Sequence, residues 1–377
     1  MLQTPPGGVG RYTAELARLL PGASSGDPGD ATEVVPFVAS HSRESIEAAL
    51  RTFHLDGVDP VVLPLPRPLL YDAWHLLGVP GLGRVVRRNG PLDVVHAPSV
   101  AVPPKGGYRL VVTVHDAAPL VFPETYPARG RWFHRRGIAA AARRADLVIT
   151  TSQAAAAEIE EHTTIDPDRL RVVPNGVDLG DASDDEVDSV RAAFDLPDRP
   201  YVLWVGTLEP RKNVGVLVEA FARWAATSDV PHRLVLAGPK GWVEDREAVL
   251  EPARRLGDRV RVLGHVDGAQ LRGLYRGADV FAFPSLHEGF GLPVLEAMAQ
   301  GTPVVCADIP ALAEVAGAAA RLVPVGDPDG WASALDDLVR DHGERERLGA
   351  AGRHHAEAFT WDRCIAETVA VYREALG

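Results

Sequence analysis

Short apolar runs alternate with amphipathic stretches along nearly the whole chain. In the first half, the runs whose length and residue types are typical of strands are residues 34–39, 61–65, 93–97, 109–115, 146–151 and 171–173. Residues 9–20 repeat apolar side chains at helical spacing, with Tyr12 and Leu16 on one face, and residues 71–88 also predict a helix. Strands that alternate with helices in this way predict a doubly wound α/β domain.

The second half of the chain repeats the alternation. Strands are predicted near residues 201–205, 233–238, 260–263, 279–283, 303–306 and 320–323, with helices between them, and the tail from Thr360 to Leu376 predicts a final helix. Residues 178–188 are acidic and lack periodicity, so we expect a linker there, and residues 22–31 predict a loop. The pattern therefore indicates two α/β domains that meet near residue 178.

Composition narrows the class of protein. A chain of 377 residues is too long for one ordinary core and suits two domains. Its net charge of −12 argues against nucleic-acid binding. Cys306 and Cys364 are far apart and lack metal-site spacing, which favours a reducing compartment without a disulfide framework. Since the sequence contains neither an apolar run of membrane-spanning length nor a signal-peptide pattern, we expect a cytoplasmic protein.

The segment Glu288-Gly-Phe-Gly-Leu-Pro-Val-Leu-Glu296 carries the strongest indication of chemistry. It follows a short apolar run, and its two glycines predict a turn into a helix that has Pro293 in the first turn. Backbone N–H groups around Gly291 and Leu292 would point out of the helix N-terminus, where the dipole favours an anion such as phosphate. A loop carboxylate and a helix carboxylate flanking a phosphate-sized site would suit a nucleotide-linked substrate. The plainer alternative is a strand–turn–helix connection with Glu296 on the surface.

A basic pair follows the strand predicted at residues 201–205. Arg211 and Lys212 come shortly after it, at the carboxyl end where open α/β sheets bind ligands. The chain has only three lysines among its 39 basic residues, at positions 105, 212 and 240. A planar guanidinium beside a compact ammonium is a suitable pair for a diphosphate. The alternative is an ordinary charged pair at a helix start.

The glycine-rich turn near the start of the chain has an unusual position. Gly7-Gly-Val-Gly10 leads into the first predicted helix, and small residues there would let the backbone approach a phosphate. A Rossmann-like domain usually places a strand before such a turn, and residues 1–6 hold barely a stub of one. We therefore expect the natural start to lie upstream of Met1.

Two histidines end predicted strands in the first half. His115 follows the run that begins at Arg109, and a donated N–H from its ring could steady developing charge or position a hydroxyl. His96 holds a similar place at the end of an earlier strand, but a structural role is the simpler interpretation for it.

Arginines cluster between Arg129 and Arg144, with aromatic residues interleaved. A solvated helix face is the simpler interpretation. The alternative is a patch for a phosphate-bearing, lipid-linked acceptor at a membrane surface, which would place the protein at the inner face of the cell membrane.

Two Asp-Pro-Asp sequences, which begin at Asp166 and Asp327, have the Asp-x-Asp spacing of metal sites. Each leads into a polar turn or a helix start, where aspartate is a common capping residue. We therefore expect no metal and no cofactor.

Five motifs, in the order in which the family carries them, resemble those of the family-4 glycosyltransferases, which are retaining enzymes. They are Gly7-Gly-Val-Gly-Arg-Tyr12, Val112-Thr-Val-His-Asp116, Pro174-Asn-Gly-Val-Asp178, Gly206-Thr-Leu-Glu-Pro-Arg-Lys-Asn213 and Glu288-Gly-Phe-Gly-Leu-Pro-Val-Leu-Glu296. The resemblance covers essentially the whole chain. It implies the GT-B fold, in which two Rossmann-like domains face each other across a cleft.

The resemblance also implies domain limits. Residues 1–178 would form the acceptor-side domain, without its first strand, and residues 179–359 would form the nucleotide-sugar domain. The helix at residues 360–377 would cross back onto the first domain.

Site residues follow by position from the same resemblance. The catalytic residues would be His115, Arg211, Lys212 and Glu288. The donor-binding residues would be Gly8, Gly10, Gly206, Val266, Gly289, Phe290, Gly291, Leu292 and Glu296. Glu288 would hold the sugar, Glu296 the ribose, and the basic pair with the helix N-terminus the diphosphate. Val266 would lie near the base.

Donor and acceptor are less sharply indicated. Residues 115–124 resemble the mannosyltransferase-like branch, so GDP-mannose is the first choice of donor and a UDP-hexose the second. A GT-B sugar-nucleotide epimerase fits the Glu288 segment poorly, and an inactive partner subunit is disfavoured because Arg211, Lys212, Glu288 and Glu296 are all present. The acceptor would be a glycan, a lipid-linked sugar or a small molecule.

Overall fold

The chain forms two compact units. The computed structural model describes residues 7–23, 33–55, 57–85, 91–178, 180–196, 200–241 and 255–377. Unit 1 consists of Met1–Gly176 together with Trp361–Gly377, and unit 2 consists of Val177–Thr360. The expectation about a strand at residues 1–6 and most of the loop predicted at 22–31 lie outside the described residues.

Unit 1 is built on parallel strands. Its strands are β1 (Phe37–Ser40), β2 (Val61–Pro66), β3 (Val94–Ala97), β4 (Arg109–Thr113), β5 (Leu147–Thr150) and β6 (Leu170–Val172). Strands β3 to β6 form one parallel sheet in that order, and β1 pairs with β2 separately. The helices are α1 (Gly8–Leu19), α2 (Arg43–Thr52), α3 (Arg67–Leu76), α4 (Leu82–Val85), α5 (Ala118–Val121), α6 (Ala128–Arg144) and α7 (Gln153–His162). Within this unit the predicted α/β alternation is confirmed.

Both faces of the unit 1 sheet are covered. Along β4, Leu110 and Val112 belong to one apolar cluster and Val111 to another, as the two-residue period of a strand requires. The second cluster joins Tyr12 of α1 to Trp361 of the C-terminal helix. The last helix of the chain therefore completes the core of the first unit.

Unit 2 contains a larger parallel sheet. Its strands are β7 (Tyr201–Val205), β8 (Arg233–Ala237), β9 (Val260–Gly264), β10 (Val280–Phe283), β11 (Val304–Ala307) and β12 (Ala320–Val323). They lie in the order β12-β11-β10-β7-β8-β9. The helices are α8 (Asp184–Ala193), α9 (Val214–Thr227), α10 (Gly268–Arg276), α11 (Leu292–Ala299), α12 (Pro310–Ala316), α13 (Pro328–Arg340) and α14 (His342–Ala356); α15 (Trp361–Leu376) belongs to unit 1. Because β7 and β10 are neighbours, the loops that follow them lie side by side.

The linker predicted at residues 178–188 is wrong in its second half, because helix α8 begins at Asp184. The Ser183 and Glu186 side chains each accept a hydrogen bond from the other residue's N–H, at 3.1 and 2.9 Å. This capping box satisfies N–H groups at the helix start, and acidic side chains there complement the helix dipole. Arg272 of α10 also pairs with Glu186 at 2.6 Å. The acidic run is therefore a capped helix.

The single helix predicted at residues 71–88 is also wrong. Helix α3 ends at Leu76, and Gly78 follows with a φ of 69°. A second, short helix then occupies Leu82–Val85. A left-handed glycine followed by Pro80 cannot continue an α-helix, so the chain turns at this point. Residues 86–88 of the prediction lie outside the described part of the chain.

Candidate functional site

The loops that follow β7 and β10 carry the charged residues of unit 2. A short 3-10 turn, Pro210–Lys212, follows β7. Asn213, with a φ of 51°, ends this turn and is the residue before the first turn of α9. The Leu286 N–H donates to the Arg211 carbonyl at 2.8 Å, and Asn213 Nδ2 donates to the Pro284 carbonyl at 3.2 Å. These bonds join the two loops, so the basic pair and Glu288 are held together by backbone.

Four charged side chains form a buried cluster at this junction. Lys212 Nζ donates to Glu288 Oε1 at 2.6 Å, and Arg211 donates to Glu288 Oε2 at 3.0 Å. Arg211 also donates to Glu209 Oε1 at 2.7 Å and to the His287 carbonyl at 2.7 Å. Two cations and two carboxylates balance, so the cluster itself is formally neutral.

Burial and pairing set the protonation states in this cluster. Burial alone would raise the pKa of Glu288, but the neighbouring Lys212 and Arg211 outweigh it and hold the pKa at about 2. Burial lowers the pKa of Lys212, and the attraction of Glu288 opposes that change. Glu288 is therefore a carboxylate at neutral pH, and a weak base.

Glycines pack the neighbouring loops tightly against each other. The Gly206 N–H donates to the Ala237 carbonyl at 3.0 Å, and the Gly238 N–H donates to the Gly264 carbonyl at 2.7 Å. Gly238 has a φ of 139°, and a Cβ built on it would lie 1.9 Å from the Gly206 carbonyl oxygen. The carboxyl ends of β7, β8 and β9 are thus joined by backbone contacts that leave no space for a side chain at position 238.

Helix α11 begins where the sequence predicts. Gly291 caps it with a φ of 103°, and a Cβ there would lie 2.5 Å from Leu312 Cδ2. Leu292 is the first helical residue, so its N–H points out of the N-terminus by helix geometry. Gly289 and Phe290 are buried in the preceding loop, and the Phe290 ring lies 6.0 Å from that of Phe359.

Glu296 is held from a neighbouring helix. It is partly buried one turn inside α11, and Tyr275 of α10 donates its hydroxyl to Glu296 Oε2 at 2.9 Å. Tyr275 itself is almost fully buried. Val266 is half-buried between β9 and α10, two strands away from β7.

In unit 1, His115 lies two residues beyond β4. Its Nε2 lies 3.0 Å from the Pro98 carbonyl, and its ring packs edge-on against Tyr12 at 5.1 Å. A carbonyl can only accept, so Nε2 carries the proton. Burial lowers the pKa of His115, which favours the neutral ring and leaves Nδ1 with a lone pair. The donated N–H that the sequence suggested is therefore used internally, and Nδ1 can accept from a hydroxyl.

His96 has a structural environment. Its Nδ1 lies 2.7 Å from the Tyr372 hydroxyl of α15, and its Nε2 lies 2.8 Å from Thr113 Oγ1. Thr113 also lies 3.1 Å from the Tyr12 hydroxyl. Burial lowers the pKa of His96 to about 3, so the ring is neutral at pH 7. Both ring nitrogens of His96 therefore make hydrogen bonds within unit 1.

The glycine-rich turn forms the start of helix α1. Gly7 precedes the helix, Gly8 is its first residue and Gly10 its third, with Gly10 buried and Gly8 exposed. Both glycines therefore lie in the first turn, where N–H groups lack helical partners.

The predicted arginine cluster lies on one helix, α6. The Arg129 guanidinium lies over the Trp132 ring at 4.5 Å and bonds to Asp72 of α3. Arg144 instead points inward and donates to the Val102 carbonyl at 3.3 Å. Among the described residues, no helix combines the length and the hydropathy of a membrane span.

The two Asp-Pro-Asp sequences act as caps in the structure. Asp166 accepts from the Asp168 N–H at 3.1 Å, and Asp327 accepts from the Gly330 N–H at 2.9 Å. Asp166 and Asp327 therefore cap local turns or helix starts, as the sequence suggested.

Glu209 and Tyr275 also belong to the site, although no sequence pattern marks either of them as a site residue. Glu209 is almost fully buried against Arg211, and its only signal was its place inside the Gly206–Asn213 motif. Tyr275 gave no signal at all, because its link to Glu296 is a contact between two helices.

Two family models match the chain, one in each half. A model of the family described as Glycosyltransferase Family 4 matches residues 6–181. A model of the family described as glycosyl transferases group 1 matches residues 187–355.

Several known proteins are similar to this chain in sequence. The O-antigen chain mannosyltransferase B of Escherichia coli is 30% identical over 99% of this chain and 97% of that protein. The MMP alpha-(1->4)-mannosyltransferase of Mycolicibacterium hassiacum is 34% identical over 77% of this chain and 72% of its own length. The D-inositol 3-phosphate glycosyltransferase of Salinispora tropica is 39% identical over 62% of this chain, which spans about half (52%) of that relative.

A solved structure shares the fold. The crystal structure of Anabaena Alr3699/HepE in complex with UDP and glucose matches with a TM-score of 0.73, over 97% of this chain and 95% of that chain. The two sequences are 20% identical, so the likeness concerns the fold alone.

Proposed function

The chain belongs to the glycosyltransferases of the GT-B fold, with a family 4 region followed by a group 1 region, and on this basis we propose a retaining hexosyltransferase that uses a nucleotide-sugar donor. The observation that carries the proposal is the buried cluster of Arg211, Lys212 and Glu288 at the carboxyl ends of β7 and β10. It offers two fixed cations bonded to Glu288, which lies four residues before the first residue of α11, in the part of an open α/β sheet that binds ligands.

The cations would act on the departing diphosphate. As the bond between the anomeric carbon and the phosphate oxygen breaks, negative charge grows on the diphosphate. Arg211, Lys212 and the N–H groups at the start of α11 would stabilise that charge without first having to reorganise. Glu209 and Glu288 support this role because they hold the two cations in place before the reaction.

Glu288 would position the sugar. With a pKa of about 2 it stays ionised, so it accepts hydrogen bonds from sugar hydroxyls and does not supply a proton. Two cations also reduce its strength as a nucleophile. These properties favour same-face substitution, in which the leaving phosphate helps to deprotonate the acceptor hydroxyl.

The remaining donor contacts would come from loops and helix ends. Glu296, oriented by Tyr275, would bond the ribose hydroxyls. Val266 would lie near the base, and Gly206, Gly289 and Phe290 would shape the backbone around the donor. In unit 1, Gly8 and Gly10 would approach the diphosphate and the acceptor, and His115 Nδ1 would accept from a hydroxyl.

Arg211, Lys212 and the N–H groups at the start of α11 offer the diphosphate hydrogen-bond donors that belong to the protein itself. We therefore propose that the reaction needs no metal ion, and full activity in the presence of a chelator is expected; loss of activity with EDTA would contradict this part of the proposal.

GDP-mannose is the proposed donor, and the similarity to two mannosyltransferases supports this choice. A UDP-hexose is the second candidate, since a structural neighbour was solved with UDP and glucose. The proposed acceptor is a glycan, a lipid-linked sugar or a small molecule, and a lipid-linked one would bring the enzyme to the cytoplasmic membrane face.

A thermal-shift panel distinguishes the donors. The purified protein is heated with GDP-mannose, UDP-glucose or UDP-N-acetylglucosamine, and with the matching nucleoside diphosphates. At 100 times its dissociation constant a ligand stabilises the native state by about 2.7 kcal/mol, which raises the melting temperature measurably. GDP-mannose should give the largest shift. A larger shift with a UDP-sugar would replace the donor assignment, and no shift with any of them would contradict nucleotide-sugar binding.

A further inference from the structure

Helix α3 and the turn after it expose an unusual number of apolar side chains. Leu69, Leu76, Leu77 and Val79 are 58%, 52%, 73% and 52% exposed, respectively. Burying such side chains would be favourable, and single exposed leucines are common, but four within eleven residues form a patch.

The turn that carries Leu77 and Val79 is anchored. Trp74 is almost fully buried and donates its indole N–H to the Pro80 carbonyl at 3.1 Å. The Leu77 N–H donates to the Ala73 carbonyl at 2.9 Å. The two apolar side chains therefore project from a fixed turn.

A cationic stripe of α6 lies against the same face of α3. Asp72 sits between Leu69 and Leu76 on α3, at helical spacing, and it pairs with Arg129. On α6, Arg129 and Arg136 both lie over the Trp132 ring, at 4.5 and 5.8 Å. The apolar stripe and the cationic stripe thus meet at the Arg129–Asp72 pair.

A column of aromatic rings fixes the two helices to each other. Tyr71 of α3 stacks on Phe133 of α6 at 5.6 Å and on Trp74 at 5.9 Å. This packing therefore fixes the position of the exposed leucines of α3 relative to the arginines of α6.

We propose that this face, defined by Leu69, Leu76, Leu77 and Val79 with Arg129, Trp132 and Arg136, docks on a bilayer surface that contains anionic phospholipid. The leucines and Val79 would enter the headgroup region, the tryptophan would lie at the interface, and the arginines would contact lipid phosphates. A chain of net charge −12 is repelled by an anionic surface overall, so a local cationic stripe is needed for such contact.

The charges favour a lipid over a second copy of the chain. In a two-fold dimer the same patch meets itself, so the arginine stripes of both copies would be brought together. An anionic bilayer instead supplies the opposite charge to Arg136, while Arg129 is already paired with Asp72.

Vesicle co-sedimentation tests the proposal with the full chain. The vesicles contain phosphatidylcholine alone or with 30% phosphatidylglycerol, roughly the range in which surface charge attracts basic residues. The wild type should bind the anionic vesicles, more weakly as salt rises, and should bind phosphatidylcholine much less. Equal binding to both kinds of vesicle, or to neither, would overturn the proposal.

Two variants address the two halves of the surface. Leu77→Gln/Val79→Gln should weaken binding roughly tenfold because it removes apolar insertion. Arg136→Glu should weaken it by roughly tenfold or more, since each basic side chain contributes about fivefold. The matched controls are Val325→Gln, an exposed apolar side chain of unit 2, and Arg43→Glu, an exposed arginine of α2. Binding at wild-type strength in both patch variants would overturn the proposal.

Donor binding separates this surface from the proposed function. The patch variants should keep the wild-type thermal shift with the nucleotide sugar, because none of their residues belongs to the donor cluster. A wild type that is dimeric in solution, becomes monomeric with Leu77→Gln/Val79→Gln and does not bind vesicles would show that a second copy covers the patch instead.

Discussion

Glu288 accepts hydrogen bonds from two buried cations, and this pairing makes the stability of unit 2 depend on acid pH. Its pKa of about 2 in the folded state lies below the usual 4.5, so its contribution is fully present above about pH 4.5 and is lost as the pH falls toward 2. Between pH 5 and pH 3 this loss is roughly 2 kcal/mol.

Glu288→Gln should therefore destabilise the protein most at neutral pH. The variant leaves Lys212 and Arg211 with Glu209 alone, and we expect a loss of about 3–5 kcal/mol at pH 7. The gap to the wild type should narrow by about 2 kcal/mol by pH 3, measured by urea unfolding. Glu219→Gln, which removes an exposed carboxylate paired with Arg223, is the control. A gap independent of pH would contradict the assigned protonation state.

Single residues were only partly predictable from the sequence. Arg211, Lys212 and Glu288 could be singled out because charged side chains after apolar strands are informative by position alone. Their direct contact could not, since it depends on β7 and β10 being neighbours in the sheet. Glu209 was missed because its burial arises from the packing of two loops, which the sequence does not reveal. Its partner Arg211 lies only two residues away.

At the level of elements, the loops after β7, β8 and β9 depend on glycine for two different reasons. Gly238 and Gly264 both have a positive φ, at 139° and 78°. Only at Gly238 would a Cβ collide with backbone, at 1.9 Å from the Gly206 carbonyl oxygen, whereas nothing lies within 4 Å at Gly264. Substitution of these two glycines therefore distinguishes the cost of a steric collision from the cost of an unfavourable φ.

Gly238→Ala should destabilise unit 2 far more than Gly264→Ala. We expect about 1–2 kcal/mol for Gly264→Ala, from the unfavourable φ alone. Gly238→Ala should cost at least about 3 kcal/mol and weaken donor binding, because the loop beside Gly206 must move. Chemical unfolding and nucleotide-sugar titration measure both effects. Equal losses in the two variants would show that the loops are not in close contact.

The elements themselves were mostly predictable, and the two errors have local causes. Strands were recognised because buried parallel strands are continuous apolar runs. Helix α8 was missed because its first turn is acidic, and the capping by Ser183 and the pairing with Arg272 replace apolar periodicity there. The helix predicted at residues 71–88 was too long because the apolar pattern continues past Gly78, whereas the chain turns there after the end of α3.

At the scale of the whole molecule, the core of unit 1 is completed by the last helix of the chain. Trp361 and Ile365 of α15 pack with Tyr12 and Val111, and Tyr372 bonds to His96. A segment more than 170 residues beyond the rest of unit 1 thus supports the strand ends that carry His115. The resemblance implied this crossing, but no local pattern in the sequence did.

Buried neutral histidines should make unit 1 sensitive to mild acid. Burial lowers the pKa of His75 to about 4 and of His96 to about 3, below the usual 6.5. The stability that the neutral rings contribute is present above pH 6.5. It is lost as the pH falls from 6.5 toward the folded-state pKa of each ring, about 4 for His75 and about 3 for His96. At pH 5 each should have lost about 2 kcal/mol relative to pH 7.

His96→Gln should reduce the fall in stability between pH 7 and pH 5 by about 2 kcal/mol, measured by urea unfolding at both values. His342→Gln, at an exposed position of unit 2, is the control. An unchanged pH dependence in His96→Gln would mean that the ring is not held neutral by the fold.

The most direct test of the central claim compares turnover with donor binding in Lys212→Met. Release of nucleoside diphosphate from saturating GDP-mannose is measured against a panel of glycan, lipid-linked and small-molecule acceptors, and the donor dissociation constant is measured by calorimetry. Lys105→Met, at an exposed lysine paired with Asp146, is the control.

If Lys212 stabilises the departing diphosphate, the wild type and the control should release GDP and place mannose on an acceptor with retained configuration. Lys212→Met should then turn over at least about 100-fold more slowly while its donor dissociation constant changes by less than about tenfold. No diphosphate release by the wild type from any nucleotide sugar, or an equal loss of binding and turnover in Lys212→Met, would contradict the account.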